Sequence, residues 1–292
     1  LVTALKEFLV VPEKWPGTNE AKSARETADQ IRRQEVGVEL TSAFLPDEPI
    51  RFVLRGRNVT DVAVSLVPFE PEQLLRSQRK QRFDLSLVSG SPAHKITVAL
   101  EKRSDYTPTT AAVELKFHEP GAYVLKAEAG SATARSLLLI SDILLVSNSC
   151  SKGFELWVVD AVTGRPCPDA TIAVGSEFRT PDRTIFNRNP EPEYSKFFDL
   201  KVDQDGFAEV NMAANADRNA MVIARDGKHI AFLDNNYWYG GSERANAQLY
   251  VYTDRSVYRP KQKVYWRAII RDRKDGEFQN VSGQVFHVII SD

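Results

Sequence analysis

The side chains best suited to chemistry stand apart from one another along this chain. His94, His118, His229 and His287 occur singly, with no His-Glu-x-x-His pair and no spacing that would bring two imidazoles onto one metal ion. His287, within the apolar alternation Val285–Ile289, reads as a structural strand residue, because ligating and perturbed groups come in clusters. No Gly-x-Ser-x-Gly elbow, phosphate loop or dinucleotide fingerprint is present. Cys150 and Cys167 are too few for a disulfide-dense scaffold or a four-cysteine zinc site. They read as two small buried residues, or as a pair bridging neighbouring strands in an oxidising compartment. Asp203 and Asp205, in Val-Asp-Gln-Asp-Gly-Phe, supply half of a calcium loop, but its twelfth position, which must offer a bidentate Glu, is Ala214. An Asp-Gly turn between two strands is the better reading. The expectation is therefore no catalytic residue, no metal and no cofactor: not an enzyme.

Three surface stretches invite a binding role. Arg76, Arg79, Lys80 and Arg82 form a basic run, but the net charge is −1 and aromatic residues do not interleave it. A polyanion-binding face needs both, so the run reads as a solvated loop, with no nucleic-acid partner. Ser176–Lys196 is long, punctuated by proline and rich in arginine, the mark of a functional or mobile loop. Asn235–Gly241 concentrates Tyr237, Trp238 and Tyr239 just before two glycines. Those rings are candidate partner contacts, for a sugar or a protein, or else the packing of a joint between units. Asn58-Val59-Thr60 and Asn280-Val281-Ser282 fit the glycosylation pattern, which matters only in a eukaryotic secretory pathway.

The elements that must position these residues change character along the chain. At 292 residues with 42% hydrophobic and 26% charged content, the chain suits two or three ordinary globular units. No apolar run approaches the roughly 18 residues of a membrane span, and no signal peptide is visible. A chain opening on Leu1 reads as a piece of a longer one. Residues 1–35 are helical: Ala4–Val10, a break at Trp15-Pro16-Gly17, then a helix capped by Thr18 or Asn19. That second helix carries Ala21, Ala24, Ala28 and Ile31 at helical spacing. The hairpin resembles the last unit of a tetratricopeptide-type array, and alone it cannot bury its apolar face.

From Val36 the apolar period becomes two. Seven alternating sets, among them Ile50/Phe52/Leu54, Val62/Val64/Leu66, Phe83/Leu85/Leu87 and Tyr123/Leu125/Ala127, precede Leu137–Ile140. They predict a sandwich over 36–141, with only Pro71–Leu75 hinting at a helical turn. A second set over 142–246 includes Ile143–Val146, Phe154–Val159, Phe207–Asn211 and a hairpin at Asp226-Gly227. A third begins near 247 and holds three strands up to Asp292, the last being Val285–Ile290. Starts near 36, 142 and 247 repeat at about 105 residues, the signature of an array. The predicted class is mainly β: tandem antiparallel β-sandwich domains behind a short helical segment.

One run is more specific. Tyr-Val-Tyr-Thr253-Asp254-Arg255-Ser256-Val-Tyr258-Arg259-Pro260, continuing through Val264-Tyr265-Trp266-Arg267-Ala268, resembles the Thr-Asp-Arg-Pro-x-Tyr-Arg-Pro-Gly signature of macroglobulin domains. Those domains build the alpha-2-macroglobulin family, especially its bacterial members; this chain departs at Ser256, where Pro is usual, and at Lys261, where Gly is usual. Leu-Trp-Val-Val-Asp-Ala-Val-Thr-Gly-Arg-Pro-Cys-Pro-Asp-Ala-Thr-Ile-Ala-Val and Asp-Leu-Lys-Val-Asp-Gln-Asp-Gly-Phe-Ala-Glu-Val are similar to bacterial macroglobulin domains and to the broader immunoglobulin-like repeats.

The resemblance implies a structural role for Thr253, Asp254, Arg255, Tyr258, Arg259 and Pro260. It further implies the N-terminal scaffold of an extracytoplasmic protease-trapping inhibitor, whose partners are target proteases and the other domains of its own chain. Neither cysteine lies in a Cys-x-Glu-Gln thioester run. Two other classes stand beside that reading. One is a cell-surface adhesin or polysaccharide-binding array, using Tyr237–Tyr239 or the 176–196 loop. The other is a hydrolase with an accessory β-domain, for which no constellation was found.

Overall fold

The computed structural model describes residues 1–41, 43–78, 83–150, 153–178, 194–211, 217–237, 248–253, 262–274 and 277–280. Helices α1 (Val2–Lys14) and α2 (Asn19–Arg32) form a hairpin. Thr18 caps α2, its Oγ1 accepting from Ala21 N at 3.1 Å, and Ala21, Ala24, Ala28 and Ile31 are its buried stripe. The stripe packs on Leu5, Phe8 and Leu9 of α1 and on Tyr106 of the unit behind it. Asn58 finishes the docking. At φ +59° it sits in the left-handed region that Asn tolerates, and its Nδ2 donates to Ile31 O and Arg33 O, each at 2.9 Å. The amide that would carry a sugar is thus committed to the helix end.

The first sandwich uses β1 (Glu35–Leu40), β2 (Ala43–Phe44), β3 (Ile50–Arg57), β4 (Asp61–Pro68), β5 (His94–Ala99), β6 (Thr109–Leu115), β7 (Gly121–Ala129) and β8 (Ala132–Ile140). The order β1-β3-β6 makes one layer and β2-β8-β7-β4-β5 the other. All pairings are antiparallel except β2 with β8, which is parallel. Ile50, Phe52 and Leu54 alternate inward from β3 to meet Val62, Val64, Leu66 and Leu125.

Between β4 and β5 the chain leaves the sandwich as α3 (Pro71–Gln78) and a single 3-10 turn, Leu85–Leu87. The alternation Phe83/Leu85/Leu87 is therefore not a strand. Asp84 caps the turn through Ser86 N at 3.0 Å, and Gln78 holds Asp84 by both backbone groups, at 2.7 and 3.1 Å. These local bonds win over strand pairing.

The second sandwich comprises β9 (Ile143–Cys150), β10 (Gly153–Asp160), β11 (Thr171–Phe178), β12 (Tyr194–Lys201), β13 (Phe207–Asn211), β14 (Asp217–Asp226) and β15 (His229–Tyr237). Layers β13-β10-β9 and β12-β11-β14-β15 enclose Phe154, Leu156, Val158, Ile172, Val174, Val210 and Val222. Gly227, at φ +57°, lets β14 turn directly into β15, as the Asp-Gly pair predicts. Finally β16 (Gln248–Thr253), β17 (Trp266–Lys274) and β18 (Glu277–Asn280) form a three-stranded antiparallel sheet in the order β16-β17-β18. The architecture is mainly β, with antiparallel sandwiches following a helical hairpin. No described helix is long and apolar enough to cross a membrane.

Candidate functional site

Each candidate for chemistry whose side chain is described is engaged locally; His287 lies outside the described residues. His118 Nδ1 donates to Pro46 O at 2.6 Å, and the His94 ring lies 5.7 Å from that of Phe117. Cys167 is a free thiol, partly buried against the second core. Burial, then the carboxylates of Asp226, Asp160 and Asp142, push its pKa up, away from the thiolate a nucleophile needs. Asp203 Oδ1 accepts from Asp205 N and Phe207 N, each at 2.9 Å, so Val-Asp-Gln-Asp-Gly-Phe is a turn closed on itself. Among the described residues no three His, Cys, Asp or Glu side chains are placed to share a metal ion. An open groove of about 580 Å³ beside β1, β3 and β6 is lined by Glu39, Phe52, Val53 and the exposed pair Arg51–Glu114, 3.2 Å apart.

Of the signature residues, Thr253 ends β16 opposite Trp266. Asp254, Arg255, Tyr258, Arg259 and Pro260 lie outside the described residues. Tyr237 is the last residue of β15, paired with Asn219, and Trp238 and Tyr239 lie outside the described residues. The 176–196 stretch begins and ends as strand, since β11 runs to Phe178 and β12 starts at Tyr194; 179–193 lie outside the described residues. Ile290 and the strand expected before it do likewise. Among the described residues, Thr253 lies in a separate sheet, while the ends of the 176–196 stretch and Tyr237 fall at one end of the β12-β11-β14-β15 sheet, where Glu177 pairs with Tyr194, Phe178 with Asp217 and Asn219 with Tyr237.

The structure also gathers a set of side chains at the joint between the two sandwiches. The connection from β8 to β9 is only Ser141 and Asp142. Ser141 is buried, its Oγ accepting from Ile230 N at 3.1 Å and from Ile143 N at 3.3 Å. His229 Nδ1 lies 2.6 Å from Asp142 Oδ1 and 3.2 Å from Asp142 N. That nitrogen serves one partner at a time, carrying a proton for the carboxylate or a lone pair for the N–H.

On the other side of the same hairpin, Arg225 binds Glu72 in parallel, Nε to Oε1 at 2.6 Å and Nη2 to Oε2 at 2.7 Å, and reaches Glu70 at 2.6 Å. Burial works against the charge on Glu72, but the Arg225 hydrogen bonds and charge outweigh it and hold the carboxyl below its usual pKa. Reciprocally, the Glu72 carboxylate raises the pKa of Arg225. Arg76, read from sequence as part of a solvated run, bonds Asp199 at 2.5 Å and lies over the Phe197 ring at 5.7 Å. This constellation can hold surfaces together, with Ser141 Oγ taken up by two backbone N–H groups and His229 by Asp142. Its one advance signal is the acidic start and basic end of the segment from Glu70 to Arg76, which says charge but not partner.

No protein-family model matches the chain. It is 27% identical over 159 residues to an alpha-2-macroglobulin of Ralstonia nicotianae, a stretch covering 52% of this chain and 8% of that relative. The chain is therefore similar to a small part of a much longer bacterial protein, of the family that residues 249–271 resemble. Among solved structures it resembles native alpha-2-macroglobulin from Escherichia coli spanning domains MG0-NIE-MG1, at a TM-score of 0.47 and 17% identity, over 69% of this chain and 64% of that one. A shorter E. coli structure spanning NIE-MG1 aligns at a TM-score of 0.44 and 15% identity, over 70% and 97%.

Proposed function

We propose that this chain is the N-terminal scaffold of an alpha-2-macroglobulin-like protein that inhibits proteases by trapping them, and that it does no bond chemistry itself. The observation that carries the reading is the sequence similarity to a bacterial alpha-2-macroglobulin over half of the chain. The second support is what the described polar clusters do, since they cap turns and helix ends or hold layers together.

On this reading 1–35 is a helical hairpin, 36–141 and 142–246 are macroglobulin-like sandwiches, and 247–292 opens a third. Thr253, Asp254, Arg255, Tyr258, Arg259 and Pro260 set the turn between that unit's first strands. Target proteases are met by the full-length protein, outside the cytoplasm, and this stretch spaces the parts that meet them. The test incubates full-length protein with a broad-specificity protease and follows its mass. A discrete early cleavage with a protease-containing high-mass species is expected. Progressive degradation with neither would overturn the reading.

A further inference from the structure

We propose that the α3 segment, Phe69–Gln78, is a clamp that fixes the two sandwiches as one rigid body. The inference needs only the fold, and its failure would leave the protease-trapping reading untouched.

An eight-residue helix is too short to hold itself in water, so its stability comes from what it docks on. Its central Leu75 is 1% exposed. The cluster around it combines Ala122 and Leu139, from the outer face of the first sandwich, with Ala173, Met221, Ile223 and Ile230 of the second. The seat is shaped for it. A Cβ built on Gly175 of β11 would lie 3.2 Å from Leu75 Cδ2 and 3.1 Å from Phe197 Cε1, so the missing side chain is the hollow that Leu75 occupies.

Charge fixes the register. The acids Glu70 and Glu72 before and on the first turn of α3 meet Arg225 of β14, while Arg76 on its last turn meets Asp199 of β12. Reversing or sliding the helix would set like charges together. Phe83 adds an aromatic bridge, edge-on to Phe69 at 5.9 Å and to Phe232 of β15 at 5.7 Å. The two-residue linker is held to the other side of the β14–β15 hairpin through Ser141 and Asp142. Rotation about the linker would have to break both grips, whereas one alone would leave a hinge.

The experiment uses the full 292-residue chain, with Cys150 and Cys167 replaced by Ser and nitroxide labels at R55C and E209C. Those positions face outward on β3 and β13, one in each sandwich. Pulsed dipolar spectroscopy should give one narrow distance peak for the parent. Leu75→Asp, Gly175→Val and the double variant Arg225→Ala/Arg76→Ala should each at least double its width, with the circular dichroism of both sandwiches retained. Exchanging the partners, Glu72→Arg with Arg225→Glu, should restore most of the narrowness lost in either single variant. A broad parent distribution would overturn the proposal. So would a narrow peak that survives in the folded Arg225→Ala/Arg76→Ala protein, which keeps every core side chain and does not depend on the buried variants folding.

Discussion

Strands β14 and β16 each carry an unbroken apolar run, Ala220-Met221-Val222-Ile223-Ala224 in one and Leu249-Tyr250-Val251-Tyr252 in the other. Their fates are opposite. All five residues of the β14 run are at most 1% exposed, whereas Tyr250, Val251 and Tyr252 are 65%, 52% and 40% exposed. Strand geometry sends successive side chains to opposite faces, so burying a whole run requires cover on both sides of the sheet. In β14 the even-numbered residues enter the second core, while Met221 and Ile223 enter the cluster shared with α3 and the first sandwich. Among the described residues no second layer covers either face of the β16–β18 sheet. An apolar run acquires structural weight from the layers placed against it, and the joint between the sandwiches supplies the second layer.

The contrast can be broken most forcefully in the closed core. Phe154 is fully buried, and Phe154→Ala should lower the unfolding free energy of the second sandwich by about 4 kcal/mol, read from urea melts. A loss under about 1 kcal/mol would mean this core is not the close-packed one described.

The joint comes next. Arg225→Ala leaves Glu72 half-buried without its paired donor and should cost about 2 kcal/mol. Because the pKa of Glu72 is held below its usual value, the stability that pairing contributes is complete above the ordinary carboxylate range. It is lost as pH falls through the lowered value. Asp105 and Asp160, lowered chiefly by hydrogen bonds from Thr107 and Thr163, titrate in the same direction. The checkable quantity is therefore a difference: Glu72→Gln should flatten the fall in melting temperature below about pH 4 relative to the parent. Parallel curves would remove the ion pair from the joint's energetics.

Smaller still is the helix cap, where Thr18→Ala should cost about 1 kcal/mol, measured as loss of helical signal ahead of the main thermal transition. Smallest is the exposed sheet. Tyr250→Ala should change stability by less than about 0.5 kcal/mol, and a loss comparable to that at Phe154 would show that this face is covered after all.

Local patterns were legible from the residues alone. The spacing of Ala21, Ala24, Ala28 and Ile31 gives the buried face of α2, the alternation of β3 gives its inward side, and Asp226-Gly227 gives its hairpin. Each depends on neighbours within a few positions, where period and turn chemistry decide. What stayed hidden is long-range. Phe83, Leu85 and Leu87 alternate like a strand, yet the bonds around Asp84 and the edge-on packing of Phe232 against the Phe83 ring fold them otherwise. Glu72 and Arg225 lie 153 residues apart, and no periodicity connects them. The parallel pairing of the two-residue β2 is equally silent, being too short to show a period. The joint was the part least readable in advance, because it is made where two separately legible patterns meet.

Hydrogen exchange across α3 tests the coupling of the two sandwiches most directly. An isolated helix of this length exchanges its amides nearly as fast as an unstructured peptide, so slow exchange in Pro71–Gln78 reports its docking and little else. Peptides covering α3 should be protected to a degree approaching that of β11 and β14, with β16 and β17 exchanging much sooner. Free-peptide exchange in α3, while β4, β7 and β14 remain protected, would contradict the account and leave two sandwiches joined by nothing firmer than Ser141 and Asp142.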